Sequence, residues 1–204
     1  MTGDERRQQL LNVACSLFAE KGFDGASVEE IAHRANVSKP VVYEHFGGKE
    51  GVYAVVVDRE MNYLLTSMTS ALEEDAHPRL LLERAAFALL DYVESSADGF
   101  RILVRASPVA SSTGTFSSLL NDIASQVESI LGVQFSSRGY DAKLAALYSQ
   151  ALVGMVALTG QWWLDVRKPR KEEVAAHLVN LCWNGLSHME GEPALRETHP
   201  PPRS

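Results

Sequence analysis

The stretch SVEEIAHRANVSKPVVYEHFGGKEGVY, from Ser27 to Tyr53, decides how the chain is read. Ser27 stands three residues before Glu30, the spacing of a capping box, and so opens a short helix that ends near Ala35. Asn36 is the kind of residue that tolerates the left-handed backbone of a tight turn. Ser38 caps a further helix, and Pro40 is permitted there because the first-turn amides have no intrahelical acceptor. Gly47 and Gly48 end that helix, and Lys49 begins a long one that runs to about Leu72. Upstream, Leu10, Leu11, Ala14, Leu17 and Phe18 recur at helical spacing, which gives a first helix over about 6–21, stopped by Gly22. Three short helices with a tight turn between the second and third follow the helix-turn-helix plan.

A recognition helix needs a short exposed face that reaches base edges from the major groove. Here that face carries Ser38, Lys39, Pro40, Val41, Tyr43, Glu44 and His45, while Val42 and Phe46 turn inward toward Ile31 and Ala32. Lys39 is suited to guanine edges, and Pro40 or Val41 to a thymine methyl. Tyr43, His45 and Lys49 suit phosphate contacts, which fix register rather than read sequence. Taken singly, Tyr43 is as well explained as a packed surface aromatic and His45 as a solvated helix end. Their placement with Lys39 and Lys49 on one face favours the functional reading. Ser27 is a cap first and a phosphate contact second. Arg6 and Arg7 read as a solvated face.

Ser27, Ile31-Ala32, Ala35-Asn36-Val37-Ser38, Tyr43, His45-Phe46, Lys49-Glu50 and Val52 together resemble the DNA-binding domain of the TetR family of transcriptional regulators. The likeness covers residues 6–60. Ser27 replaces the usual Thr, Asn36 the turn Gly and Val52 the usual Leu, each with a side chain that serves the same physical purpose. The resemblance implies a DNA-binding regulator, a repressor acting on a pseudo-palindromic operator as a dimer. It also implies an all-α fold, with a helix-turn-helix domain over 1–50 and a ligand-binding and dimerisation domain over 51–189.

Composition is that of an ordinary soluble protein, and the resemblance implies a bacterial regulator of the cytoplasm. The 204 residues are 46% hydrophobic and 22% charged, enough for a real core. The net charge of -7 excludes a protein that is basic throughout. Residues 1–50 carry six Lys/Arg against eight Asp/Glu, yet within 33–49 Arg34, Lys39 and Lys49 oppose only Glu44. The basic patch is local and thin, so DNA binding needs two copies acting together. Cys15 and Cys182 match no metal-ligand spacing, and the N-terminus lacks the apolar run of a signal peptide. The stretch from Leu144 to Leu164 carries no charge, but its polar residues favour a buried helix in a soluble dimer over a membrane span.

Beyond His77-Pro78 the sequence predicts helices over 78–95, 100–106, 116–131, 141–166 and 171–188, with a mobile loop over 107–118 and a disordered tail over 190–204. In the TetR-like plan the last two long helices form the dimer interface. The helix over 141–166 offers two stripes of small and apolar residues: Leu147, Ala151, Gly154 and Leu158, or Ala146, Val153, Ala157 and Gly160. The residues alone leave open which one meets the partner.

The resemblance also implies a ligand cavity among the middle helices. The candidate walls are Tyr63, Tyr92, Phe100, Phe116, Tyr148, Met155, Trp162 and Trp163, each of which also suits an ordinary core. Few polar groups accompany them (Gln150, Thr159 and Asn121), so an apolar or amphipathic small ligand is expected. No phosphate loop, nucleophile elbow or His/Glu metal pair is present, which argues against an enzyme and against any cofactor or metal. The competing reading is a dimer that binds DNA without a ligand, and an enclosed cavity of a few hundred Å³ would speak against it.

Overall fold

The computed structural model describes residues 2–73, 76–105 and 115–194. Among these no strand occurs, and the chain is a succession of helices. Helix α1 runs Gly3–Gly25, α2 Val28–Arg34, α3 Lys39–Phe46, α4 Lys49–Glu73 and α5 Pro78–Ser95. They are followed by α6 Ala97–Val104, α7 Phe116–Ser137, α8 Ala145–Val166 and α9 Lys171–Ser187. A short 3-10 turn over Ala142–Leu144 leads into α8.

Helix α1 is longer than its apolar period indicates, because Thr2 and Glu5 form a full capping box ahead of it. Gly22 still breaks its backbone at φ 74°. At α2 the box is only half made: the Glu30 amide donates to Ser27 Oγ, while the Glu30 carboxylate turns to Lys21 and Arg34. Asn36 sits at φ 53°, as a tight turn requires. Ser38 stands at the N-cap of α3, but its hydroxyl makes no capping bond. Helix α6 starts three residues earlier than its apolar pattern suggests, and α7 continues past Leu131 to Ser137. Most of the loop over 107–118 and the tail beyond residue 194 lie outside the described residues, while Phe116–Ser118 form the first turn of α7.

Leu10, Leu17 and Phe18 of α1 pack with Ile31, Val42, Val52 and Val56 to make the core of the three-helix head. That core continues without a break through α4 and α6 into Leu64, Leu90, Phe100 and Leu119. A second cluster around Leu131, Phe135, Leu152 and Cys182 fills the far end. The head is therefore docked on the body along α1 and α6, not hung from a linker.

Candidate nucleic-acid interface and ligand cavity

The tight turn after α2 presents α3 at the surface. Val42 is fully buried, Phe46 half-buried, and Ser38, Lys39, Pro40, Tyr43 and Glu44 are exposed; Val41 and His45 are half-buried. These residues lie on one short face, as a major-groove reader needs. The basic groups around it are largely engaged. Arg34 pairs with Glu20 at 2.8 Å and Glu30 at 2.9 Å. Lys39 forms an ion pair with Glu29, and its Nζ lies 5.7 Å from the Tyr43 ring centroid. The hydrogen bond to Glu29 raises the Lys39 pKa and lowers that of Glu29.

Lys49 is turned inward. Its Nζ donates to the Phe23 carbonyl at 3.0 Å and stands 4.3 Å over the Phe23 ring. Two donors of its ammonium remain for a phosphate. Arg7 donates to the His45 carbonyl at 3.0 Å and covers Phe46, which ties α1 to the end of α3.

The cavity lies between α4, α5, α7, α8 and α9 and measures about 100 Å³. Its wall is mostly aliphatic. Along α7 the lining residues Phe116, Leu120, Ile123, Val127, Ile130 and Gln134 make one continuous stripe, about 27 Å long at 1.5 Å per residue. Leu64, Met68 and Leu72 of α4 and Trp183 and Leu186 of α9 also line it. At about 100 Å³ this space is smaller than the few hundred Å³ anticipated.

Of the eight candidate wall residues only Phe116 lines this cavity. Tyr63 and Trp162 are each 50% exposed. Tyr148 packs on Phe135, Met155 meets the Cys182 sulfur, and the Trp163 indole donates to the Pro169 carbonyl at 2.8 Å. Tyr92 and Phe100 are buried beside Phe116 in an edge-to-face aromatic chain, not in the wall. Among the anticipated polar groups, Gln150 and Asn121 face outward and Thr159 bonds the Met155 carbonyl. The signal that finds the wall is the aliphatic stripe of α7, which aromatic content does not reveal.

A polar junction missed in the sequence lies between cavity and head. Glu60 of α4 is only 5% exposed. Its carboxylate accepts from Arg59 at 2.8 Å and from the Tyr92 hydroxyl at 2.9 Å. Arg59 also donates to Asn12 of α1 at 2.8 Å, and Ser16 of α1 donates to Asp98 of α6 at 2.8 Å. Burial, and then the Glu60 charge, push the Tyr92 pKa well up; burial raises Cys15, on the α1 side, to about 12. Gly99 of α6 lies against Glu60 so closely that a Cβ there would sit 2.1 Å from Oε2.

The two stripes on α8 have different fates. Gly160 and Ala157 are buried, with a Gly160 Cβ falling 2.9 Å from Leu89 of α5, so that part of the stripe serves the internal core, while Val153 is half-buried and Ala146 exposed. The other stripe is open: Leu147 and Leu158 are each 65% exposed, and Ala151 is exposed between them. Trp162 extends it, and Leu181, 60% exposed, adds an exposed apolar residue from α9. Residues 142–166 form a helix long and apolar enough to cross a membrane.

An all-helical body that carries a helix-turn-helix head follows the plan of DNA-binding regulators. Residues 10–56 match the bacterial regulatory proteins of the tetR family, and residues 78–185 match the tetracyclin repressor-like C-terminal domain. The chain is 30% identical over 195 residues to the HTH-type transcriptional activator FasR of Mycolicibacterium smegmatis, across 91% of this chain and 85% of that protein. A TetR-like regulator from Rhodococcus sp. RHA1 shares the fold at a TM-score of 0.73 and 26% identity, covering 90% of this chain and 97% of that one. The TetR family regulator PfmR of Thermus thermophilus gives a TM-score of 0.69 at 27% identity, over 86% of this chain and 94% of that one. The chain belongs to the TetR family and is a DNA-binding transcriptional regulator. Members of this family are soluble, bind operators and small molecules, and work as dimers.

Proposed function

We propose that this regulator is a cytoplasmic homodimer that represses transcription from a pseudo-palindromic operator and leaves it when a slim apolar or amphipathic ligand enters the α7 slot. The DNA-binding unit is residues 1–50, and the sensing and dimerisation unit is 51–189. Lys39 reads a guanine edge, and Pro40 or Val41 meets a thymine methyl. Ser27, Ser38, Tyr43, His45 and Lys49 approach phosphates. The observation that carries the reading is that α4 begins at Lys49 beside α3 and walls the cavity with Leu64, Met68 and Leu72. One rigid element thus meets both sites, as reciprocal coupling requires.

The dimer forms through α8 and α9, with the open stripe of Leu147, Ala151 and Leu158 against its copy. Such an apolar stripe is costly to leave in water and is better explained by a soluble partner than by lipid. The cavity supports a narrow, unbranched aliphatic ligand whose polar end lies at Gln134. At about 100 Å³ the slot must widen to take a larger molecule, so filling it displaces the α4 wall. A second reading, activation from the bound site, is favoured by the likeness to FasR, which is named an activator.

The test is selection of bound DNA from a random pool, repeated with cell extract, followed by transcription from the selected site in vitro. Inverted repeats and release by an extractable small molecule are expected, with transcription falling as protein is added. Transcription that rises instead favours activation. A site without inverted symmetry overturns the dimeric reading, and operator affinity untouched by any extract leaves the ligand-independent binder.

A further inference from the structure

The ion pair between Glu29 and Lys39 joins the first turn of α2 to the first residue of α3. Both helices are fixed relative to each other by the turn at Asn36, where the Val37 amide donates to the Ala32 carbonyl at 2.9 Å. The neighbouring carboxylates are spent elsewhere: Glu30 on Lys21 and Arg34, and Glu20 on Arg34. Glu29 alone among them is turned toward the recognition helix. We propose that Glu29 is a positioning residue for sequence reading, holding the Lys39 ammonium at a set place on the front of α3 so that it reads a base and does not wander to phosphate.

A lysine is a point charge on a flexible four-carbon stem, with three donors. Unrestrained, it finds the nearest phosphate and adds to binding on any sequence. Here one side of the ammonium is taken by Glu29, and the Tyr43 ring lies 5.7 Å from Nζ. A donor remains for a guanine edge, while the carboxylate compensates the charge that would otherwise draw phosphate. Both partners stay accessible to solvent, Lys39 at 47% and Glu29 at 63%, so the pair can meet DNA without rearrangement of the head. The upward shift of Lys39 and downward shift of Glu29 agree with a pair that stays ionised.

This inference rests on the assignment of Lys39 to base reading, and the experiment separates the two. Binding to the selected operator and to random-sequence DNA is measured by anisotropy over a salt series for the full chain, E29Q, Lys39→Ala and the double variant. E29Q is expected to tighten binding to random DNA and to steepen its log–log salt dependence by about one per half-site. The operator-to-random ratio should fall roughly fivefold or more per half-site, the lower end of what one good base contact discriminates. In the Lys39→Ala background E29Q should change none of these. Glu29→Ala removes the same bond and must act the same way, with unchanged thermal melting of each variant as the folding control. If Lys39→Ala leaves the ratio unmoved, the base-reading assignment fails and the proposal falls with it. If Lys39→Ala lowers the ratio and E29Q does not, the proposal alone is overturned. It is likewise overturned if the effect of E29Q persists without Lys39, because Glu29 would then act on DNA by itself.

Discussion

Replacing Gly99 by Ala puts one methyl group into the tight contact between α6 and the buried Glu60 carboxylate of α4. The new Cβ would stand 2.1 Å from Glu60 Oε2, 2.5 Å from Cδ and 3.0 Å from Cγ. Glu60 has nowhere to retreat, since Arg59 holds one oxygen at 2.8 Å and the Tyr92 hydroxyl the other at 2.9 Å. Overpacking costs about 1–3 kcal/mol. Losing a hydrogen bond to a charged acceptor costs about 1.5–3 kcal/mol more. The alanine returns about 1 kcal/mol through its higher helix propensity within α6. The net destabilisation is about 2–5 kcal/mol, a fall in Tm of roughly 5–20 °C for a chain of this size.

Thermal and urea unfolding at one fixed protein concentration measures it, because a dimer's apparent stability depends on concentration. The decisive arm is the same substitution in a Glu60→Ala background. Glu60→Ala removes the three atoms nearest the new methyl, Oε2, Cδ and Cγ, so Gly99→Ala should be neutral or stabilising there. The cycle subtracts whatever Glu60→Ala costs alone by leaving Arg59 and Tyr92 short of an acceptor. If Gly99→Ala costs the same in both backgrounds within about 0.5 kcal/mol, the two residues are not coupled and the reasoning fails.

Leu158→Arg places a charge in the open stripe of α8; the monomer should fold normally, because Leu158 is 65% exposed, while sedimentation shows loss of the dimer and operator affinity falls with it. Glu20, Glu29 and Glu30 have folded-state pKa values below their usual 4.5, each chiefly through a hydrogen bond to Arg34, Lys39 or Lys21. Their stabilisation is therefore full above 4.5 and is lost as pH falls through the lower folded values, so melts between about pH 5 and 3 should show progressive loosening. Burial lifts Cys15 from 9.0 to about 12, so its contribution is full below 9.0 and is lost as pH rises toward 12. At about pH 8 its thiol should resist iodoacetamide in the folded protein and react once unfolded, and mass spectrometry of the alkylated chain reads both states.

The head is legible in the sequence because local chemistry fixes it. Ser27, Asn36, Pro40 and Gly47 each act within a few residues of their own position, and Val42 and Phe46 follow helical period, so the α2–α3 turn and its exposed face can be read directly. The boundaries that escape such a reading involve caps without an apolar mark, such as Thr2 before α1 and the early start of α6 at Ala97. The Glu60 junction joins residues 12, 59, 60, 92 and 99, and no periodicity ties positions so far apart. Aromatic content misdirects the search for the cavity because large rings fill space. Tyr92 and Phe100 are core, and the void forms where the smaller aliphatics of α7 face α4. Which α8 stripe is outward depends on where α5 packs, and Leu89 against Gly160 decides it. That is tertiary information, invisible in a helix that is apolar on several sides.

Helix α4 connects the head to the cavity. It is 25 residues long, about 37 Å. Its first turns are buried against the head through Val52, Tyr53 and Val56, and its later turns wall the cavity through Leu64, Met68 and Leu72. Glu60 lies between, pinned to α5 by Tyr92 and, through Arg59, to α1. A rod held near one point behaves as a lever. Met68 is eight residues beyond Glu60 and Lys49 eleven before it, arms of about 12 Å and about 16 Å. In the proposed response, a ligand that moves Met68 outward by about 2 Å swings the Lys49 end by nearly 3 Å. With two protomers the change in recognition-helix spacing approaches about 6 Å, against half-sites set about 34–36 Å apart. A slot of only about 100 Å³ suits such a device, since even a thin ligand must push its wall to enter. In that proposed response the Glu60 bonds to Tyr92 and Arg59 serve as the pivot, so Glu60→Ala should weaken the coupling between ligand and operator, read as the operator affinity with and without ligand.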